Sequence, residues 1–402
     1  MDDGSSTHRD GLFYEKCKKR RVECFSDHRD ACKAIGVSLK KGGSLGTIAG
    51  GTMNSKLHKS QLNRRSFLKQ TGAAAVAGVA APYVLASDKA GTSLPIVGIG
   101  EHRYEAIHDW GELPPGHVYG NTHGVTIDAQ GLIYIKHTVG KGATIDDAVV
   151  VFDPNGKFVR SWGKEYKGGA HGLHLNREGS EEFLYLCDPK RHLVAKTTLL
   201  GEELWRMWAP EQCAGYSAPD DYCPTNVATA PNGDFYVADG YGKSYIHQYD
   251  RNARYIRSFA GKGSEPGKTD CPHGLMIDLR NGAPTLVVAD RSNRRLQYFS
   301  LDGQHQSFCN AEMRAPCHFH TQGEVMVVPD LESRVTLLDK ANNPIAVLGQ
   351  GPGYNGLRDK TRDHFPPGQF VAPHSAYFDP EGNIFVVEWV EVGRVTKLRK
   401  LA

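Results

Sequence analysis

Most of the features that would announce a function at once are scarce in this sequence. Its 402 residues carry a formal net charge of only +3, with 48 Lys and Arg scattered among 45 Asp and Glu, so no basic stripe marks a nucleic-acid footprint and no nucleic-acid partner is expected. Long hydrophobic runs are missing too. The one extended apolar stretch, "AAAVAGVAAPYVLA", is too short and too rich in Ala and Gly for a stable span, so no membrane span is expected in the mature chain. Nine cysteines occur, but the six after residue 86 (Cys187, Cys213, Cys223, Cys271, Cys309 and Cys317) include no CxxC pair of the kind that builds a structural zinc knuckle. They are compatible with disulfides in an oxidising compartment, Cys213/Cys223 and Cys309/Cys317 being nearest in sequence, or with free buried thiols. What is present is ordinary globular composition, 40% hydrophobic and 23% charged, in a chain long enough to bury a large core.

The front of the chain differs in kind. Residues 1–52 are polar and basic without periodicity and are expected to be a disordered leader or a misassigned upstream extension. From Met53 the order is a basic region, Arg64-Arg65 followed by Ser66-Phe67-Leu68-Lys69, a weakly apolar stretch, and the small-residue site Val84-Leu85-Ala86. Residues 53–86 therefore read as a twin-arginine signal peptide, which implies the twin-arginine export machinery as a partner and a periplasmic or secreted location.

The remainder, 87–402, is repetitive. "THGVTIDAQGLIYI", "AHGLHLNREGSEEFLYLCD", "PTNVATAPNGDFYVADGYGKSYIHQYD", "PHGLMIDLRNGAPTLVVADRSNRRLQYF", "HFHTQGEVMVVPDLESRVTLLDKANNPIAVLG" and "PHSAYFDPEGNIFVVEWVEVGRVTKL" each give an alternating strand, an Asp/Asn/Gly turn, and a second strand ending in a small or acidic residue. Six such units recurring every ~45 to 57 residues predict an all-β, six-bladed propeller of about four strands per blade. The last unit lacks an outer strand. Either "SLPIVGIG" or "YEAIHDW" from the front of the domain is expected to supply it and close the ring.

A propeller turns repetition into convergence, because residues at one repeat position of the innermost strands all face the central channel. That position holds His123, His171, Thr225, His273, Cys317 (with His318 and His320 beside it) and His374. His171, His273 and His374 lie on alternate blades, about 120° apart in a six-fold ring. Three imidazoles so placed form a tripod with an open fourth position, as catalytic zinc requires. The alternative is that each histidine makes only local hydrogen bonds at a strand start.

At these residues the sequence resembles the peptidyl-α-hydroxyglycine α-amidating lyases, six-bladed NHL-type propellers. The resemblance runs through "SWGKEYKGGAHGL", "YCPTNVATAPNGDFYVADGYGKS", the segment around His273 and "FVAPHSAYFDPEGNIFVVEW", covering about residues 118–390. It implies zinc (Zn2+) on His171, His273 and His374, Tyr241 as catalytic base, Arg291 as an active-site arginine, and cleavage of a terminal α-hydroxyglycine to a peptide amide and glyoxylate. Tyr241 alone could equally be a stacking residue at a blade edge, and Arg291 a turn residue paired with Asp290.

Several positions depart from the family. His137 stands where the family has a second arginine and would hold an anion only when protonated. Gly242 replaces a cysteine, Ala372 a methionine, and Ser375 an acidic residue that is a calcium ligand in the family, which leaves a structural Ca2+ without that ligand. These changes leave open a metal-dependent hydrolase or lyase acting on another small molecule, or a non-catalytic NHL scaffold that binds a protein or ligand on a rim such as "WAPEQCAGYSAPDDYC". The expected substrate is a small molecule or peptide.

Overall fold

The computed structural model describes residues 84–87, 93–309 and 311–401. Residues 1–52 and all of the signal segment before Val84 lie outside the described residues. Within them the chain is an all-β, six-bladed propeller: five four-stranded antiparallel sheets and one of six strands.

Blade one comprises Thr122–Ile127, Ile133–His137, Val149–Phe152 and Phe158–Trp162, and blade two runs from Leu173–Glu178 to Glu203–Met207. Blade three runs from Asn226–Thr229 to Tyr255–Ala260, blade four from Pro272–Asp278 to His305–Phe308, and blade five from His320–Gln322 to Pro344–Leu348. The Asp-rich turns seen in the sequence fix the hairpins within each blade. Asp128 Oδ1 accepts the amides of Gln130 and Leu132 (3.0 and 2.8 Å), and Gly131 closes that turn at φ +81°, a conformation that other residues adopt at a cost.

Blade six contains Pro373–Phe378, Ile384–Glu388 and Arg394–Lys400, and its fourth strand is His102–His108, from the opposite end of the domain. Of the two candidates, the segment containing "YEAIH" closes the ring. The other, Ser93–Ile99, adds a fifth strand outside it, and Val84–Ser87, which overlaps the expected cleavage site, pairs as a sixth. Arg399 bridges Glu105 across the closure.

Apolar clusters fill the wedges between neighbouring blades. Val125, Ile133 and Ile135 of blade one pack on Phe385, Val387 and Val395 of blade six. Val327, Val335 and Leu337 of blade five pack on Val386 and Leu398 from the other side. Leu275, Leu286 and Val288 of blade four likewise meet Ala228, Tyr236 and Ala238 of blade three. Burial of this kind contributes about 25 cal/mol per Å² of apolar surface and is what a single blade could not obtain alone.

The second strand of four blades ends in a buried carboxylate, Asp188, Asp290, Asp330 and Glu388, and in blade three the buried Asp239 follows the strand directly. Four of them grip the segment leading into the innermost strand of their own blade, through the amides of Cys223, Asp270, Arg314 with Ala315, and Val371 with Ala372. Each grip lies just before the repeat position, so it fixes where the channel residues begin. All six described cysteines are free thiols, and among the described residues no helix is long and apolar enough to cross a membrane.

Candidate metal centre

The three histidines expected on alternate blades meet at the channel axis. Their ring centroids are 4.7 Å (His171 to His273), 4.9 Å (His171 to His374) and 4.7 Å (His273 to His374) apart, and all three are buried. Each uses Nδ1 in the same way. His171 bonds the carbonyl of Thr225 at 2.7 Å, His273 that of Cys317 at 2.9 Å, and His374 that of His123 at 2.7 Å. A carbonyl only accepts, so Nδ1 carries the proton and Nε2 keeps its lone pair, the arrangement by which a second shell orients a ligating imidazole. The acceptors are themselves the repeat-position residues of blades three, five and one, so the ring of blades builds its own support.

Glycine makes this approach possible. A Cβ on Gly172 would sit 2.3 Å from the Thr225 carbonyl oxygen, and one on Gly274 would sit 2.4 Å from that of Cys317. Burial, with the neighbouring His374, holds His171 well below the ordinary imidazole range; burial, with Arg291 and the other two rings, does the same for His273. Both are therefore neutral, the form that binds a metal. Lys136, buried in blade one, donates from Nζ to the carbonyls of Gly172 (3.1 Å) and Cys187 (2.8 Å), tying blade one to the peptide that carries His171.

A fourth imidazole joins them. His123 lies 4.6 Å from His374 and 5.0 Å from His171 by ring centroid, and the nitrogens of His123, His171 and His374 all fall within 4.8 Å of one another. The repeat register already placed His123 at the channel but gave no reason to count it among the ligands.

Tyr241, on the loop after the second strand of blade three, places its hydroxyl 2.9 Å from Nε2 of both His171 and His273. Arg291, at the equivalent place in blade four, donates from Nη1 to that hydroxyl at 3.3 Å and from Nη2 to Cys271 Sγ at 3.1 Å. Its guanidinium lies 5.2 Å from the centre of the Tyr241 ring. Asp290, the alternative partner, is instead occupied by Asn293, Arg295 and Gln297. No loop pattern in the sequence announced the contact with Cys271.

His137 is not brought into this cluster. It fills the second-strand end of blade one, the place that holds a carboxylate in the other five blades, and its Nδ1 accepts the Val139 amide at 3.1 Å as Asp188 accepts that of Lys190. Its ring packs edge-on to Tyr119, and burial, with His117 nearby, lowers it to about 3, so it is neutral at ordinary pH. The sequence signal for this structural task was the acidic residue ending the other second strands.

The recess at the axis is lined by the four histidines together with Asn226, Cys317, His318 and Ser375. A set of imidazoles without a carboxylate suits a divalent ion of borderline softness and is foreign to calcium, which takes oxygen ligands.

No protein-family model matches the chain. It is 28% identical over 273 residues to peptidyl-alpha-hydroxyglycine alpha-amidating lyase 1 of Drosophila melanogaster, covering 62% of this chain and 48% of the relative. It is 33% identical over 177 residues to peptidyl-glycine alpha-amidating monooxygenase B of Xenopus laevis, covering 41% of this chain but only 19% of that longer protein. NHL repeat-containing protein 3 of Mus musculus is 25% identical over 233 residues, 54% of this chain and 65% of the relative. Among solved structures, a gluconolactonase of Xanthomonas campestris superimposes with a TM-score of 0.51 at 13% identity, over 79% of this chain and 98% of that one, and shares the fold. The chain is a six-bladed β-propeller whose relatives include proteins named amidating lyase and NHL repeat protein, with a buried three-histidine group at its axis.

Proposed function

We propose that this protein is an exported, zinc-dependent lyase that cleaves the C–N bond of a peptide's terminal α-hydroxyglycine, releasing the peptide amide and glyoxylate. The observation that carries this reading is the position of the Tyr241 hydroxyl, shared between Nε2 of His171 and His273 and touched by Arg291. His171, His273 and His374 would hold the ion, which when bound acidifies a hydroxyl beside it.

An α-hydroxyglycine bears its hydroxyl and carboxylate on one carbon, which matches a phenol and a guanidinium 3.3 Å apart. Arg291 would pair with the carboxylate through two N–H donors. Tyr241, entering the reaction as its phenolate, would take the hydroxyl proton and become the phenol. As the C–O bond becomes a carbonyl, the C–N electron pair passes to nitrogen, and the phenol returns its proton there, so atoms and charge balance. Burial of the site excludes water from the carbinolamide as it collapses.

The test is glyoxylate release from an α-hydroxyglycine-capped peptide by zinc-loaded protein beside the triple variant His171→Ala, His273→Ala, His374→Ala. Release at the variant's background rate would remove the lyase assignment. Export belongs to the same proposal: Arg64→Lys with Arg65→Lys should strand the precursor in the cytoplasm, and unchanged export of that variant would refute the twin-arginine route.

A further inference from the structure

The four axial imidazoles form two overlapping triangles. His171, His273 and His374 make one, and His123, His171 and His374 make the other, sharing the edge between His171 and His374. His123 meets that edge through Nδ1, which lies 3.3 Å from Nε2 of His374. Two nitrogens bound to one tetrahedral zinc at about 2.0–2.1 Å stand about 3.3–3.4 Å apart. In this structure that contact is a hydrogen bond between the two rings, and its length is also the separation of two ligands sharing an ion.

We propose that His123 is a fourth metal ligand, binding through Nδ1, so that the resting site is closed by four imidazoles. This rests on the metal-dependent reading above and adds to it. His171, His273 and His374 are each pinned through Nδ1 to a main-chain carbonyl, whereas His123 turns that same atom toward the shared edge. A closed four-nitrogen shell belongs to structural zinc, while catalysis needs an open position. His123 would then be the residue whose release from the ion opens the position that catalysis needs.

Zinc-edge X-ray absorption of the loaded wild-type protein should count about four imidazoles, and that of His123→Phe about three. Chelator competition should show weaker zinc binding in the variant, by roughly 10-fold or more. A second variant guards against misfolding of the first. His273→Ala should still hold zinc, because His123, His171 and His374 remain, whereas a site without His123 would fall to two imidazoles and lose the ion. Three imidazoles in wild type, or loss of zinc from His273→Ala together with unchanged affinity in His123→Phe, overturns the inference while leaving the metal-dependent reading standing. Failure of the wild type to bind zinc at all overturns both.

Discussion

Lowering the pH of the metal-free protein from 7 to about 5 should unfold it. Burial holds His108, His137, His174, His247 and His320 at about 3, His318 at about 4, and His171 and His273 well below the usual imidazole value. At pH 5 these eight rings are neutral in the folded chain and charged in the unfolded one. Unfolding then takes up protons, so stability falls as the pH drops below the unfolded value of about 6.5 and goes on falling until the folded-state values are reached. Each group costs about 1.4 kcal/mol per pH unit well below 6.5, and eight together approach about 11 kcal/mol per unit, against a total stability of about 5–15 kcal/mol. Asp239, Asp290 and Asp379 run the other way, because burial raises all three; Asp239, raised to about 7, gains at most about 4 kcal/mol of stability as the pH falls from 7 to 4. That does not reverse the sum. Far-UV circular dichroism with tryptophan fluorescence across pH 7 to 4 measures the transition, and a parallel titration measures the protons taken up. A protein that keeps its native spectrum and its thermal midpoint at pH 4.5 would show that these buried imidazoles are hydrated or already charged, and the reasoning would fail.

Other perturbations separate the parts of the site from the scaffold. Tyr241→Phe should retain metal and lose about 10²- to 10⁴-fold in turnover, whereas Arg291→Ala should chiefly raise KM, since a carboxylate clamp serves ground and transition states alike; the two kinetic profiles coinciding would contradict the assigned roles. Gly172→Ala drives a Cβ into the Thr225 carbonyl that supports His171, so a loss of about 1–3 kcal/mol by thermal melting should come with weaker metal retention. Removing residues 84–99 should leave a folded ring, while removing 84–108 should not; gel filtration of the two truncations distinguishes the strand that closes blade six from the strands outside it.

The blades were legible because a period-2 apolar pattern and Asp/Gly turns are local properties, repeated six times. The convergence of His171, His273 and His374 was legible for a related reason: equal repeat positions in a closed ring must face one axis. Contacts that depend on how two loops lean together were not. Arg291 reaching Tyr241 and Cys271 requires the actual angle between blades three and four, and Asp290 beside it offered an equally good partner on paper. His137 reads in the sequence as a pH-dependent anion holder because it stands where the resembling family has an arginine; its register, opposite Thr122, gives it in addition the buried acceptor role that a carboxylate fills in the other blades.

The strand His102–His108 pairs with Arg394–Lys400, and His108 is 288 residues from its partner Thr396. A ribosome adding 5–20 residues per second needs roughly 15–60 s to make the second strand after the first. For that interval the early strand has only Ser93–Ile99 beside it and its other edge is bare, although the five blades between can form as they emerge. The last seconds of synthesis thus decide whether the circle is sealed or the early strand finds another chain's blade six. Leu401 already hydrogen-bonds beside Arg103, so a short turn from Leu401 to His102, with new ends opened before Tyr119, would make this distant pairing a hairpin. In such a circular permutant the waiting period disappears, and blade six matures like every other blade.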